Sequence, residues 1–137
     1  MSIEFPYEKK LSFFGEVADP KIPVKVYTKE GRREFRFLVD TGADATLLPR
    51  YAAEYIGVDL GESERMSVKG IEGIGLDAYA AQIKVRIGDR ELEIRCLFAA
   101  SDRVPFILGR TDIFDHFNLI FDNQNQRLRM EPLAGSP

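Results

Sequence analysis

Phe37-Leu38-Val39-Asp40-Thr41-Gly42-Ala43-Asp44-Ala45-Thr46 is the stretch on which the reading of this chain turns. An apolar strand runs into a carboxylate, then a hydroxyl, then a glycine turn. That order puts an acid at the end of a buried strand, where burial and neighbouring charges tune its pKa. The stretch occurs once in 137 residues. A chain of this length makes one domain and buries roughly two-thirds of its unfolded surface, enough for a sizeable core.

Period-2 alternation extends outward from this stretch on both sides and argues for strands. Upstream, Ile22, Val24 and Val26 alternate with Pro23, Lys25 and Tyr27. Glu30-Gly31 turns the chain, and Phe35, Phe37 and Val39 lead into Asp40. Downstream, Ala81, Ile83, Val85 and Ile87 form one apolar face. Gly88-Asp89 reverses the chain, and Leu92, Ile94, Cys96 and Phe98 form the returning face. Phe117 to Asp122 and Arg127 to Met130 read as a hairpin with a polar tip. Two short helices are expected: Pro49 to Ile56, stopped by Gly57, and Arg110 to Phe117, where Ile113, Phe114 and Phe117 have helical spacing. The order strand, glycine, short helix occurs at Phe37 to Ile56 and again at Phe106 to Phe117, a weak internal repeat that pairs Gly42 with Gly109. Residues 22–131 are expected to form the domain, 1–21 an extension packed on it, and 132–137 a flexible tail. Phe5, Tyr7, Phe13 and Phe14 are too apolar for a disordered arm.

Composition narrows the function. A net charge of -3 gives no reason to expect nucleic acid, whose binding rests on clustered Lys and Arg. Arg32, Arg33 and Arg36 are interleaved with Glu30 and Glu34 and read as a solvated face. Cys96 is alone, so there is no intrachain disulfide and no cysteine metal site. Asp112, Asp115 and His116 read as a solvated face rather than metal ligands. No apolar run approaches the ~18 residues of a membrane span, and no signal peptide is expected. A cytoplasmic setting is the default.

Taken together, Leu38-Val39-Asp40-Thr41-Gly42-Ala43, the glycine-rich Gly70-Ile71-Glu72-Gly73-Ile74-Gly75 and Ile107-Leu108-Gly109-Arg110 resemble, in that order, the retropepsin-like aspartic proteases. These are the single-domain, homodimeric relatives of pepsin. The resemblance covers roughly residues 22–131 and implies an all-β, closed, barrel-like acid-protease fold with a flap hairpin and one or two short helices. It implies an aspartic endopeptidase without metal or cofactor, acting on peptides as a homodimer, with no nucleic acid or membrane partner. Asp40, Thr41 and Gly42 would be the catalytic residues. Thr41 would bond across the dimer axis, and Gly42 would let the backbone turn and leave room for substrate. Ala43, Asp44, Gly70, Ile71, Gly73, Ile74 and Gly75 would bind substrate, while Gly109 and Arg110 support the site, with Arg110 pairing with Asp44. In viral members the chain termini knit the dimer; here the C-terminal hairpin is the candidate interface.

The chemistry explains these residue types. Hydrolysis without a covalent intermediate needs a base for water and an acid for the carbonyl. Two aspartates about 3 Å apart supply both, because like charges so close cannot both ionise and the pair shares a proton. One Asp-Thr-Gly per chain therefore calls for two chains. Three other readings compete. Asp40-Thr41-Gly42 alone could be a strand-end turn. Asp40 as a phosphoryl-accepting nucleophile would want a second acid close by for magnesium. The strongest rival is a non-catalytic dimerisation or peptide-binding module on the same fold.

Overall fold

The computed structural model describes residues 2–69 and 75–134. Its strands are β1 (Ile3–Pro6), β2 (Glu8–Ser12), β3 (Gly15–Asp19), β4 (Lys21–Thr28), β5 (Gly31–Val39), β6 (Thr46–Leu48), β7 (Glu64–Lys69), β8 (Gly75–Ile87), β9 (Arg90–Ala99), β10 (Ile107–Leu108), β11 (Phe117–Asp122) and β12 (Arg127–Pro132). A single α-helix among the described residues, α1, spans Arg50–Ile56. The main sheet runs β4-β5-β10-β6-β9-β8-β7, and β4 also pairs with β8. That extra pairing closes β4, β5, β10, β6, β9 and β8 into a six-stranded barrel, with β7 left at an edge. The fold is all-β, as the alternation implies, and closed, as the resemblance implies.

The barrel closes because each alternating run turns its apolar residues inward. Ile22, Val24, Val26, Phe37, Val85, Ile87, Ile94 and Phe98 are completely buried. Truncating a buried aromatic such as Phe37 or Phe98 to alanine costs about 3–5 kcal/mol in such a core. Cys96 lies among these side chains, and burial pushes its thiol up to about 12, so it stays protonated and inert at neutral pH. The helix ends where expected: Gly57 adopts φ 95°, and its N–H donates to Ala53 O at 2.8 Å.

The second expected helix does not form. Asp112 sits at φ 64°, in the left-handed region, and only Phe114–His116 winds into a single 3-10 turn. The cause is Arg95 on β9. Its backbone N–H and its guanidinium both bond the Asp112 carboxylate, at 2.8–2.9 Å, and the chain bends to meet them. Ile113, Phe114 and Phe117 are nonetheless buried, so their spacing recorded burial rather than helix.

A second layer comes from the ends of the chain. β1 pairs with β12, and β12 with β11, giving a three-stranded sheet in the order β1-β12-β11. Phe5 is buried there, and Tyr7 packs against the core cluster. β2 and β3 form a separate hairpin with Phe13 and Phe14 at its tip. The expectation that these two phenylalanines pack is not met within the chain, since both are fully exposed. Among the described residues no helix is long and apolar enough to cross a membrane.

Candidate active site

Asp40 is fixed at the point where two strands converge. Val39 N donates to Pro20 O at 2.9 Å on one side of β5. On the other side Leu38 N donates to Phe106 O at 2.9 Å, and Asp40 N to Leu108 O at 3.1 Å. β10 runs parallel to β5, with Ile107 opposite Leu38 and Leu108 opposite Val39. The two apolar elements that lead into Gly42 and Gly109 thus lie side by side.

After Asp40 the chain turns on its own carboxylate. Gly42 N donates to Asp40 Oδ1 at 3.0 Å, and Ala43 N to Asp40 O at 3.1 Å, an Asx-type turn. Among the described residues nothing else bonds the Asp40 side chain, which is half-buried. Gly42 does not adopt a positive φ, so conformational freedom is not what it supplies. A Cβ there would stand 3.4 Å from Asp40 Oδ1, a close contact on the cleft side of the turn. Thr41 is exposed, and its hydroxyl makes no hydrogen bond among the described residues.

The loop from Ala43 to Thr46 is clamped by the segment that follows β10. Arg110 N donates to Ala43 O at 3.0 Å, and Thr111 N to Asp44 O at 2.9 Å. Thr111 Oγ1 adds a bond to the same carbonyl at 2.6 Å. Gly109 N donates to the hydroxyl of the completely buried Thr46 at 3.0 Å. Arg110 Nη2 reaches Asp44 Oδ1 at 2.9 Å, but both side chains are largely exposed. An exposed ion pair adds little, so the backbone bonds and the Thr46 hydroxyl hold the loop. Thr46 and Thr111 were missed in the sequence because nothing around them marks their partners. Gly109 is required by contact: a Cβ there would fall 2.4 Å from Ala45 C and O.

Asp40 and residues 42–45 floor a cleft of about 420 Å³. Its walls are Leu47, Val68, Leu76, Leu97 and Ile107, one from each of β6 to β10. This size and apolar lining around a few polar groups suit a ligand site. A larger hollow of 730 Å³ lies between β1 and the Gly88-Asp89 turn, away from Asp40. β7 and β8 pair antiparallel along one wall of the cleft, with Val68 opposite Leu76 and Lys69 opposite Gly75. Asp77 fastens the two strands together: Arg65 Nη2 donates to it at 2.6 Å and Ser67 Oγ at 3.0 Å, which lowers its pKa. Gly75 opens β8, while Gly70, Ile71, Gly73 and Ile74 lie outside the described residues.

The Arg95–Asp112 bond fixes the segment behind this clamp. Arg95, by its side chain first and its backbone N–H second, holds the Asp112 carboxyl down to about 2. The folded value lies below the ordinary 3.8, so the bond stabilises the fold above that pH and is lost as the pH falls towards 2. Asp112→Asn is expected to destabilise the protein at pH 7 but hardly at all at pH 2. Urea midpoints measured across this range check it, and equal losses at both ends would refute it.

Comparison with known proteins agrees with this geometry. A family model described as "gag-polyprotein putative aspartyl protease" matches residues 26–113. None of the curated proteins matches in sequence. Among solved structures, a retropepsin-like aspartic protease from Rickettsia conorii is similar at TM-score 0.65 and 20% identity, over 94% of this chain and 98% of that one. The retroviral protease-like domain of Ddi1 from Leishmania major is similar at TM-score 0.61 and 14% identity, over 86% and 96%. The EIAV protease complexed with the inhibitor HBY-793 is similar at TM-score 0.53 and 21% identity, over 67% and 82%. At these identities the structural likenesses speak for the fold, and the family model speaks for descent. The matched segment runs from β4 through the Asp40 turn, the cleft strands and the clamp at Gly109 and Arg110, and the chain belongs to this family of retropepsin-like aspartyl proteases.

Proposed function

We propose that the protein is a homodimeric aspartic endopeptidase in which Asp40 of each copy faces its counterpart across a two-fold axis. The observation that carries this reading is the state of Asp40: half-buried on the cleft floor, one oxygen held by Gly42 N–H and the other unbonded among the described residues. Asp44, the other acid in the loop, takes a bond from Arg110 on Oδ1 and is largely exposed. A second Asp40 about 3 Å away would share a proton with the first. The pair would titrate as a unit, one member taking a proton from water and the other giving one to the peptide carbonyl. The chemistry calls for no cofactor.

The surroundings suit these roles. The unbonded hydroxyl of Thr41 is available to the second copy's loop. Gly42 leaves room for a peptide beside the carboxylates. The apolar walls take alternate side chains of an extended substrate, and the β7–β8 hairpin acts as the flap that covers it. Asp44, with Ala43, lies where it can bond substrate backbone. The three-stranded sheet is the candidate dimer face: β11 lies at its edge and can pair with its own copy, continuing the sheet through the dimer.

This reading predicts that cleavage per chain rises with protein concentration until dimerisation is complete. An assay on an unstructured protein substrate at mildly acid pH, run over a dilution series beside sedimentation equilibrium, tests it. Activity per chain that stays constant down to monomer concentrations would refute the shared site. A stable dimer without turnover would leave only the binding-module reading.

A further inference from the structure

Among the described residues the most exposed large apolar side chains are Leu11, Phe13 and Phe14, at 86%, 104% and 96%. All three lie at the tip of the β2–β3 hairpin. A two-stranded ribbon has no core of its own. At the tip Ser12 Oγ donates to Gly15 O at 2.8 Å and accepts from Phe14 N at 3.1 Å, and Lys9 pairs with Glu16 at 3.5 Å. The root, in contrast, is tied to the catalytic strand. Glu8 binds the Arg36 guanidinium on β5, and the Pro20 carbonyl takes the N–H of Val39. The β4–β5 register sets Lys21 opposite Leu38. Pro20 thus lies beside Val39, the residue before Asp40.

We propose that this hairpin is an arm that reaches across to the second copy of the chain and buries Leu11, Phe13 and Phe14 against it. The inference rests on the dimer proposed above, and three observations lead to it. The first is position. If Asp40 meets its counterpart at about 3 Å, an arm rooted beside Val39, one residue before Asp40, starts close to the axis. The second is reach. Five residues at about 3.3 Å each carry the tip roughly 17 Å from its root. The tip side chains rest on nothing in their own chain, so the arm leaves its own body. The third is area. A stable interface needs about 800 Å² per partner, and the edge of one six-residue strand supplies only part of it. The three tip side chains add roughly 500 Å² from each copy.

Charge argues against a lipid surface as the occupant. From Glu8 to Asp19 the hairpin carries Lys9 and Lys10 against Glu8, Glu16 and Asp19, a net charge of minus one. Attachment to anionic lipid draws on a basic surplus, which this segment lacks.

The chain contains no tryptophan, so Phe13→Trp places a single indole reporter at the tip. Its emission should shift to shorter wavelength over the same concentration range in which sedimentation shows dimer forming. The triple variant Leu11→Ser, Phe13→Ser, Phe14→Ser should weaken the dimer about a hundredfold or more. Its monomer should keep the wild-type circular dichroism, because these side chains pack on nothing within it. An indole that stays solvated in the dimer would overturn the arm, as would a triple variant that dimerises like wild type. So would a shift seen only on adding phosphatidylserine vesicles, which would assign the hairpin to membranes. A wild-type chain that stays monomeric at every concentration would fail the dimer first and the arm with it. A failed arm on an intact dimer is therefore recognisable by itself.

Discussion

Asp40→Asn is expected to remove peptide cleavage while leaving both fold and dimer in place. An amide neither takes a proton from water nor gives one to a carbonyl, and two-fold symmetry removes both members of the pair at once. Loss of one general acid or base typically costs 10²–10⁴ in rate, and here both roles are lost together. The structure accounts for the intact fold. Asn Oδ1 can accept the Gly42 N–H as Asp40 Oδ1 does, and the Asp40 side chain makes no other bond among the described residues. Substitutions at such sites usually stay within about 0.5 kcal/mol. The dimer should be at least as tight at neutral pH, because two carboxylates no longer face each other across the axis. Cleavage assays and sedimentation on the variant check these expectations. Retained turnover would exclude Asp40 as the water-activating group.

Gly109→Ala is expected to destabilise the protein by about 2–6 kcal/mol. The added Cβ would stand 2.4 Å from Ala45 C and O and 2.9 Å from Thr46 N. All three are backbone atoms, so no side chain can rotate away. Either β10 or the loop after Asp40 must move, and either movement breaks the Gly109 N–H bond to the buried Thr46 hydroxyl. Overpacking costs about 1–3 kcal/mol, and an orphaned buried group about 1–3 more. Against a total stability of about 5–15 kcal/mol, that is a large share. Alanine at Gly75, where a Cβ would meet nothing within 4 Å among the described residues, is the matched control and should unfold like wild type. Urea unfolding of the two variants decides the matter. A Gly109→Ala midpoint within error of wild type would show that the clamp is loose.

The strands and their inward faces were legible because each buries one side, and a period of two leaves a mark that composition cannot hide. Ile22 to Val26 and Leu92 to Phe98 show it most plainly, with buried residues where the alternation puts them. The closure of the barrel was expected from the family resemblance alone and left no mark in the residues that make it. It depends on the pairing of Lys25 with Arg86 and Val26 with Val85, two strands far apart in sequence, and each of these residues looks ordinary alone. The missing second helix has a similar origin. Asp112 takes its left-handed backbone because Arg95, seventeen residues earlier, holds its carboxylate. At the candidate site the Asp40 turn and the Gly109-Arg110 element were visible as motifs, and the Asp44–Arg110 pair followed from family resemblance. The buried hydroxyl of Thr46 was not visible, since a threonine after a loop has no signature of the amide it accepts. Phe13 and Phe14 misled for a physical reason. Apolar residues are expected to be covered, and the sequence does not say whether the cover comes from the same chain.

The measurement that bears most directly on the shared site is the stoichiometry of a transition-state mimic. A statine-type peptide carries a hydroxyl where the tetrahedral intermediate forms, and such mimics bind far more tightly than substrate. Titration calorimetry at mildly acid pH should give one inhibitor bound for every two chains, with binding lost in Asp40→Asn. One inhibitor per chain, or equal binding by a monomer, would contradict a site built from two copies of Asp40.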